Sequence, residues 1–73
     1  MRNLHNAVIG EKVIVNSLFA ENELKERLLA LGVTKGAKLE VLRKGPQDNL
    51  TVFRIRGAMI ALRKEESSLI YIH

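Results

Sequence analysis

The chain reads as a mainly β domain, a small closed or nearly closed barrel of about five strands with one short helix between the first strand and the second. Three observations predict it. Apolar residues alternate at the two-residue period of a strand in short runs over residues 12–18, 37–43, 50–56, 59–63 and 69–72. One set, Leu24, Leu28 and Leu31, recurs at helical spacing instead. Between the two patterns lies Arg27-Leu28-Leu29-Ala30-Leu31-Gly32-Val33-Thr34-Lys35-Gly36, whose two glycines, four positions apart, end the helix and open the next strand. Closing such a sheet removes edges that would otherwise pair with other chains.

Each element follows from its residues. Lys12 to Leu18 is a strand with Val13 and Val15 on one face and Ile14 on the other. Asn22 is the expected N-cap of a helix over about residues 22–31, and Glu23 places negative charge at the positive end of the helix dipole. A helix this short is marginal alone, so the Leu24/Leu28/Leu31 stripe must pack on the sheet, leaving Leu29 outside. Gly32 takes the left-handed position after the last turn, and Val33 folds back onto it. From Ala37 to Arg43 a strand points Leu39 and Val41 inward, and Lys44 to Asn49, with the only proline, makes a hairpin loop. Leu50 to Arg56 sends Thr51, Phe53 and Ile55 one way and Val52, Arg54 and Arg56 the other. Gly57 marks a tight bend, and Ile60 and Leu62 share a face in Met59 to Arg63. Lys64 to Ser68 makes one helical turn, and Leu69 to Ile72 buries Ile70 and Ile72 while pairing near the start of the barrel.

Composition narrows the function. A chain of 73 residues forms one domain, residues 1–73, and buries only about 60% of its unfolded surface. Without cysteine there is no disulfide and no thiolate metal site, which suits a reducing compartment. No apolar run nears the roughly 18 residues of a membrane span, and residues 1–10 lack the apolar centre of a signal peptide, so the expectation is a soluble cytoplasmic protein. The net charge of +4 is uneven: residues 1–36 hold five bases and four acids, residues 37–73 seven and four. That surplus steers the domain towards acidic partners or anionic surfaces.

The ordered set Arg27-Leu28, Gly32, Gly36, Pro46, Arg56-Gly57, Ile60-Ala61-Leu62-Arg63, Glu65-Glu66 and Ile70/Ile72 resembles the FeoA family over almost the whole chain. The resemblance implies an SH3-like barrel that assists ferrous iron uptake beside the cytoplasmic part of the membrane GTPase permease FeoB. Where the family commonly has Gly-Asp-Pro the chain has Asp48-Asn49-Leu50, and Ser67 stands where alanine is frequent. Asp and Asn tolerate a left-handed turn, and the backbone readily satisfies a hydroxyl.

No group of residues suggests catalysis, a cofactor, a small-molecule substrate or a metal. His5 and His73 lie at opposite ends, whereas a ferrous site wants two imidazoles and a carboxylate converging from rigid elements. Glu65 and Glu66 are sequence neighbours that diverge, Ser17, Ser67 and Ser68 have no activating histidine, and the five glycines form no phosphate cradle. The remaining candidate is contact. Arg54 and Arg56, with Arg43, Lys44, Arg63 and Lys64, form a basic stripe, and Ile14, Phe19, Leu29 and Met59 are apolar residues off the core stripes. The expected partner-binding residues are Leu29, Arg54, Arg56, Phe19 and Met59. Nucleic acid is disfavoured, because Phe19, Phe53 and Tyr71 are the only aromatics and Phe53 belongs to the core. Taken with what the resemblance implies, the expectation is a noncatalytic accessory protein that binds FeoB and touches the membrane only through it. A detached SH3-like domain of an iron-dependent transcription regulator and a small nucleic-acid-binding barrel are the alternatives; the length leaves no room for a helix-turn-helix.

Overall fold

A computed structural model describes residues 2–73, so Met1, the first residue of the segment weighed as a leader, lies outside them. Strands β1 (Arg2–Asn3), β2 (Lys12–Leu18), β3 (Lys38–Lys44), β4 (Leu50–Ile55), β5 (Ala58–Arg63) and β6 (Ile70–Ile72) form one antiparallel sheet in the order β1-β6-β2-β3-β4-β5. Helix α1 (Asn22–Ala30) joins β2 to β3, and α2 (Lys64–Ser67) joins β5 to β6. Single 3-10 turns occupy Leu4–Asn6 and Pro46–Asp48. The count exceeds the expected five because Arg2–Asn3 adds a two-residue strand against Ile72 and Tyr71. Backbone pairing leaves β1 and β5 as edges, so the sheet is curled and open rather than closed.

The core follows the alternation. Val13, Val15, Leu39, Val41, Phe53, Ile55, Ile60, Leu62, Ile70 and Ile72 point inward and are buried, with Thr51 beside them. Leu4 and Ala7 from the first 3-10 turn complete the layer. α1 contributes less than its stripe suggests: Leu28 is fully buried and Leu24 partly so, but Leu31 is 40% exposed. The reason is that Leu31 is already the C-cap and Gly32 turns the chain left-handed at φ +90°, so the axis has ended before Leu31 reaches the sheet. Gly32 N–H donates to Leu29 O at 3.0 Å and Val33 N–H to Leu28 O at 2.9 Å, a Schellman closure with Val33 buried over the last turn. The other end departs from expectation too. Glu21 is the N-cap and makes no side-chain cap bond, while Asn22 is the first helical residue, entered at φ +56°.

Two local devices set which residues face outward. A bulge in β3 between Val41 and Arg43 shifts the register, so that Val41 pairs with Phe53 but Arg43 with Val52 and Lys44 with Thr51. Strict alternation would turn Arg43 inward; the extra residue returns it to the surface and sends Lys44 towards the first 3-10 turn. There Lys44 Nζ donates to His5 O at 3.2 Å. At the β4–β5 hairpin, Ile55 pairs with Ala58 across the two-residue turn Arg56-Gly57, with φ of +50° and +82°. Positive φ at both central positions marks the primed turns whose twist suits paired strands.

Candidate functional site: a cationic sheet face

On the outer face of β2 to β5 the register lines up Lys12, Glu40, Arg54 and Met59 in one row across four strands. Ile14 and Lys38 form the neighbouring row. Beyond Arg54 the hairpin carries Arg56, and together these residues bound a groove of about 200 Å³ lined by Lys12, Lys38, Leu39, Glu40, Arg54, Arg56 and Gly57. Leu39 itself is buried, so the accessible lining comes mainly from the lysine and arginine side chains, which combine apolar methylene stems with charged heads.

Charge in the groove is poorly neutralised. Glu40 Oε1 lies 3.8 Å from Arg54 Nε, a long and partly exposed pair. Among the described residues Lys12, Lys38 and Arg56 have no carboxylate within ion-pair distance. Arg56 is nevertheless held: a Cβ placed on Gly32 would lie 3.6 Å from its guanidinium, so this cation sits over the C-terminal end of α1, where the helix dipole is negative. A Cβ at that distance would make ordinary contact with the guanidinium; what calls for glycine at position 32 is its φ of +90°.

The structure brings together most of the expected binding residues. Arg54 and Met59 are cross-strand partners, and Arg54 and Arg56 share the groove. Leu29, 43% exposed, belongs to the turn closed by Gly32, the residue next to which the Arg56 guanidinium sits. Phe19 stands apart: its ring packs edge-on against Tyr71 with centroids 5.0 Å apart, and its N–H donates to Leu69 O. Of the broader basic stripe, Lys44 is turned to His5, and Arg63 pairs with Leu50, two residue pairs beyond Val52 and Ala61. Arg56 is a turn residue rather than the end of β4, which is why it reaches α1. Lys12 and Lys38, not singled out in the sequence, complete the groove. Each precedes a buried strand residue, Val13 or Leu39, so each was legible as outward, but only the β2–β3 register puts them beside Arg54.

Chemistry beyond contact finds few groups. Among the described residues no three of His, Cys, Asp or Glu gather into a metal-holding set. His5 is seated in the first 3-10 turn, with Nδ1 buried and without a hydrogen-bond partner. His73 is tied by its N–H to Ile14 O. Glu66 links two elements: its Oε2 accepts from Arg27 at 3.0 Å and its Oε1 from Arg63 N–H at 2.8 Å, joining α1 to the start of α2. No helix among the described residues is long and apolar enough to cross a membrane.

Comparison with known proteins gives the family. The family model for the FeoA domain matches residues 2–73. The FeoA protein from Chlorobium tepidum is 32% identical with a TM-score of 0.92, over 99% of this chain and 69% of its own. FeoA from Stenotrophomonas maltophilia, complexed with zinc and described as a procaryotic SH3 domain protein, is 22% identical with a TM-score of 0.86, over 100% of this chain and 91% of its own. A manganese-dependent transcriptional repressor is 18% identical with a TM-score of 0.87, over 97% of this chain but 40% of its own. These last two likenesses speak to the SH3-like fold alone. A search of curated proteins finds no match. With the family model spanning every described residue and a relative close in both sequence and fold, the chain belongs to the FeoA family, which is linked to ferrous iron transport.

Proposed function

We infer that the protein is a noncatalytic accessory factor of ferrous iron uptake that works at the cytoplasmic side of the membrane by binding the cytoplasmic part of a FeoB-like GTPase permease. The domain read over residues 1–73 serves as a docking unit. The observation that carries this reading is the outer sheet face. Met59 is 67% exposed beside Arg54 and Ile14 is 41% exposed beside Lys38, so apolar and cationic groups adjoin on one surface. Exposed apolar residues that cluster, rather than scatter, mark interfaces. A docked domain changes a partner's turnover or gating only by binding its conformations unequally, which makes state-dependent affinity the mechanism.

Capture of the purified cytoplasmic region of a FeoB-like permease on the immobilised protein tests the reading. Arg54→Glu with Arg56→Glu, or Leu29→Asp, should weaken capture about tenfold or more while the thermal midpoint stays nearly unchanged. Wild-type protein that captures no permease in any nucleotide state sinks it.

The fold shared with part of a manganese-dependent repressor is compatible with a second reading, a detached domain of a metal-dependent regulator. Retention of the chain by the remainder of such a repressor, rather than by the permease, would select it. A general nucleic-acid barrel has less support. Phe53 is fully buried and Phe19 is engaged with Tyr71, so no aromatic residue lines the groove.

A further inference from the structure

The groove concentrates the protein's charge. Lys12, Lys38, Arg54 and Arg56 face one carboxylate, Glu40, a local surplus close to the net +4 of the whole chain. The rest of the surface is therefore nearly balanced, and the field that steers an approaching molecule centres here. Three features define what fits. Without an aromatic platform the groove does not select stacked bases. With Gly57 as its only glycine, its lining contains no glycine-rich loop of the kind that cradles a phosphate. Its charged heads and methylene stems, flanked by exposed Ile14 and Met59, instead match a chain bearing both carboxylates and apolar side chains.

We propose that this groove seats an extended acidic segment of the partner protein, its carboxylates set against Lys12, Lys38, Arg54 and Arg56 and its apolar side chains against Ile14 and Met59. The inference rests on the docking reading above and names the chemistry of the partner's contact. Lys12 on β2 and Arg54 on β4 are two strand spacings apart, about 10 Å, which three residues of extended chain cover. A short stretch of peptide thus reaches every cation. Glu40, between Lys12 and Arg54 in the row, opposes the same segment and limits its affinity. Such a residue discriminates against weakly charged segments, because only an occupant with several carboxylates outweighs it.

Fluorescence anisotropy with a short rhodamine-labelled peptide of alternating Glu and Leu tests the proposal on the full chain. The peptide should bind, with affinity falling about tenfold in Lys12→Glu and in Arg54→Glu and unchanged in Arg63→Glu, which lies outside the groove. Glu40→Gln should tighten binding about threefold, an effect that a merely structural role for Glu40 would not produce. The same peptide with Gln for Glu should lose binding, and added salt should weaken the Glu form. Thermal melts identify any variant that fails to fold, and Lys12→Ala then replaces it. Equal binding of the Gln peptide, indifference to the Lys12 and Arg54 reversals, or tighter binding of a single-stranded oligonucleotide overturns the proposal. Permease capture that survives Lys12→Glu also overturns it while leaving the docking reading intact. Peptide binding without permease capture supports the groove and rejects the permease.

Discussion

At the scale of single residues, Leu28 and Leu31 share a sequence pattern and differ in consequence. Leu28 is fully buried under the Schellman closure, so Leu28→Ala should cost about 2–5 kcal/mol in chemical denaturation, as core truncations do. Leu31→Ala, at a half-exposed cap, should cost much less. Gly32→Ala would force a left-handed Cβ residue at φ +90° and should lose about 1–2 kcal/mol. Arg56 also has positive φ, so Arg56→Gly relieves backbone strain as it deletes a groove cation; stability should stay within about 1 kcal/mol while docking weakens. Glu11 gives the pH dependence. Hydrogen bonds from the Arg2 guanidinium, then from Val8 N–H, hold its carboxyl below the ordinary glutamate value. Its contribution is complete above the unfolded value and is lost as pH falls through the lower folded one. Acid-side melts of Glu11→Gln should therefore show a shallower decline than wild type.

At the scale of elements, the connections do as much as the strands. α2 has four residues and stands because Glu66 accepts from Arg63 N–H at its start and from Arg27 on α1. Hydrogen exchange in Glu66→Ala should quicken at the amides of α2 and leave β3 and β4 protected, since the clasp lies outside the main ladder. The bulge in β3 is the second decisive element. By inserting one residue before Arg43 it keeps that arginine outside and aims Lys44 at His5 O, so a side chain expected on the basic stripe ties the β3 end to the first 3-10 turn instead. The two-residue hairpin at Arg56-Gly57 is the third: it removes Arg56 from the strand pattern and brings it to the end of α1.

At the scale of the whole molecule, the open sheet separates two jobs. The inner face carries the core, and the outer face of β2 to β5 presents four cations and exposed apolar neighbours on a rigid ladder. Rigidity matters because a domain that docks as one body spends little ordering entropy at the interface. Long-range attraction through the groove should raise the association rate, so stopped-flow binding to the permease region should slow with added ionic strength more than dissociation changes. Lys12→Glu should remove most of that salt dependence if the groove is the seat of contact.

Alternation by itself determined the five principal strands, the inward faces of Val13, Leu39, Phe53, Ile60 and Ile70, and the Gly32 closure, because strand and helix periods are local properties of the chain. It also marked Leu29, Arg54, Arg56 and Met59 as residues left outside the core. Tertiary structure alone decided that Lys12 and Lys38 join Arg54, that Lys44 leaves the stripe, that Leu31 falls short of the sheet and that Phe19 pairs with Tyr71. Register, bulges and turn geometry set those outcomes. A one-residue slip changes every neighbour across a sheet while leaving the sequence pattern along each strand the same.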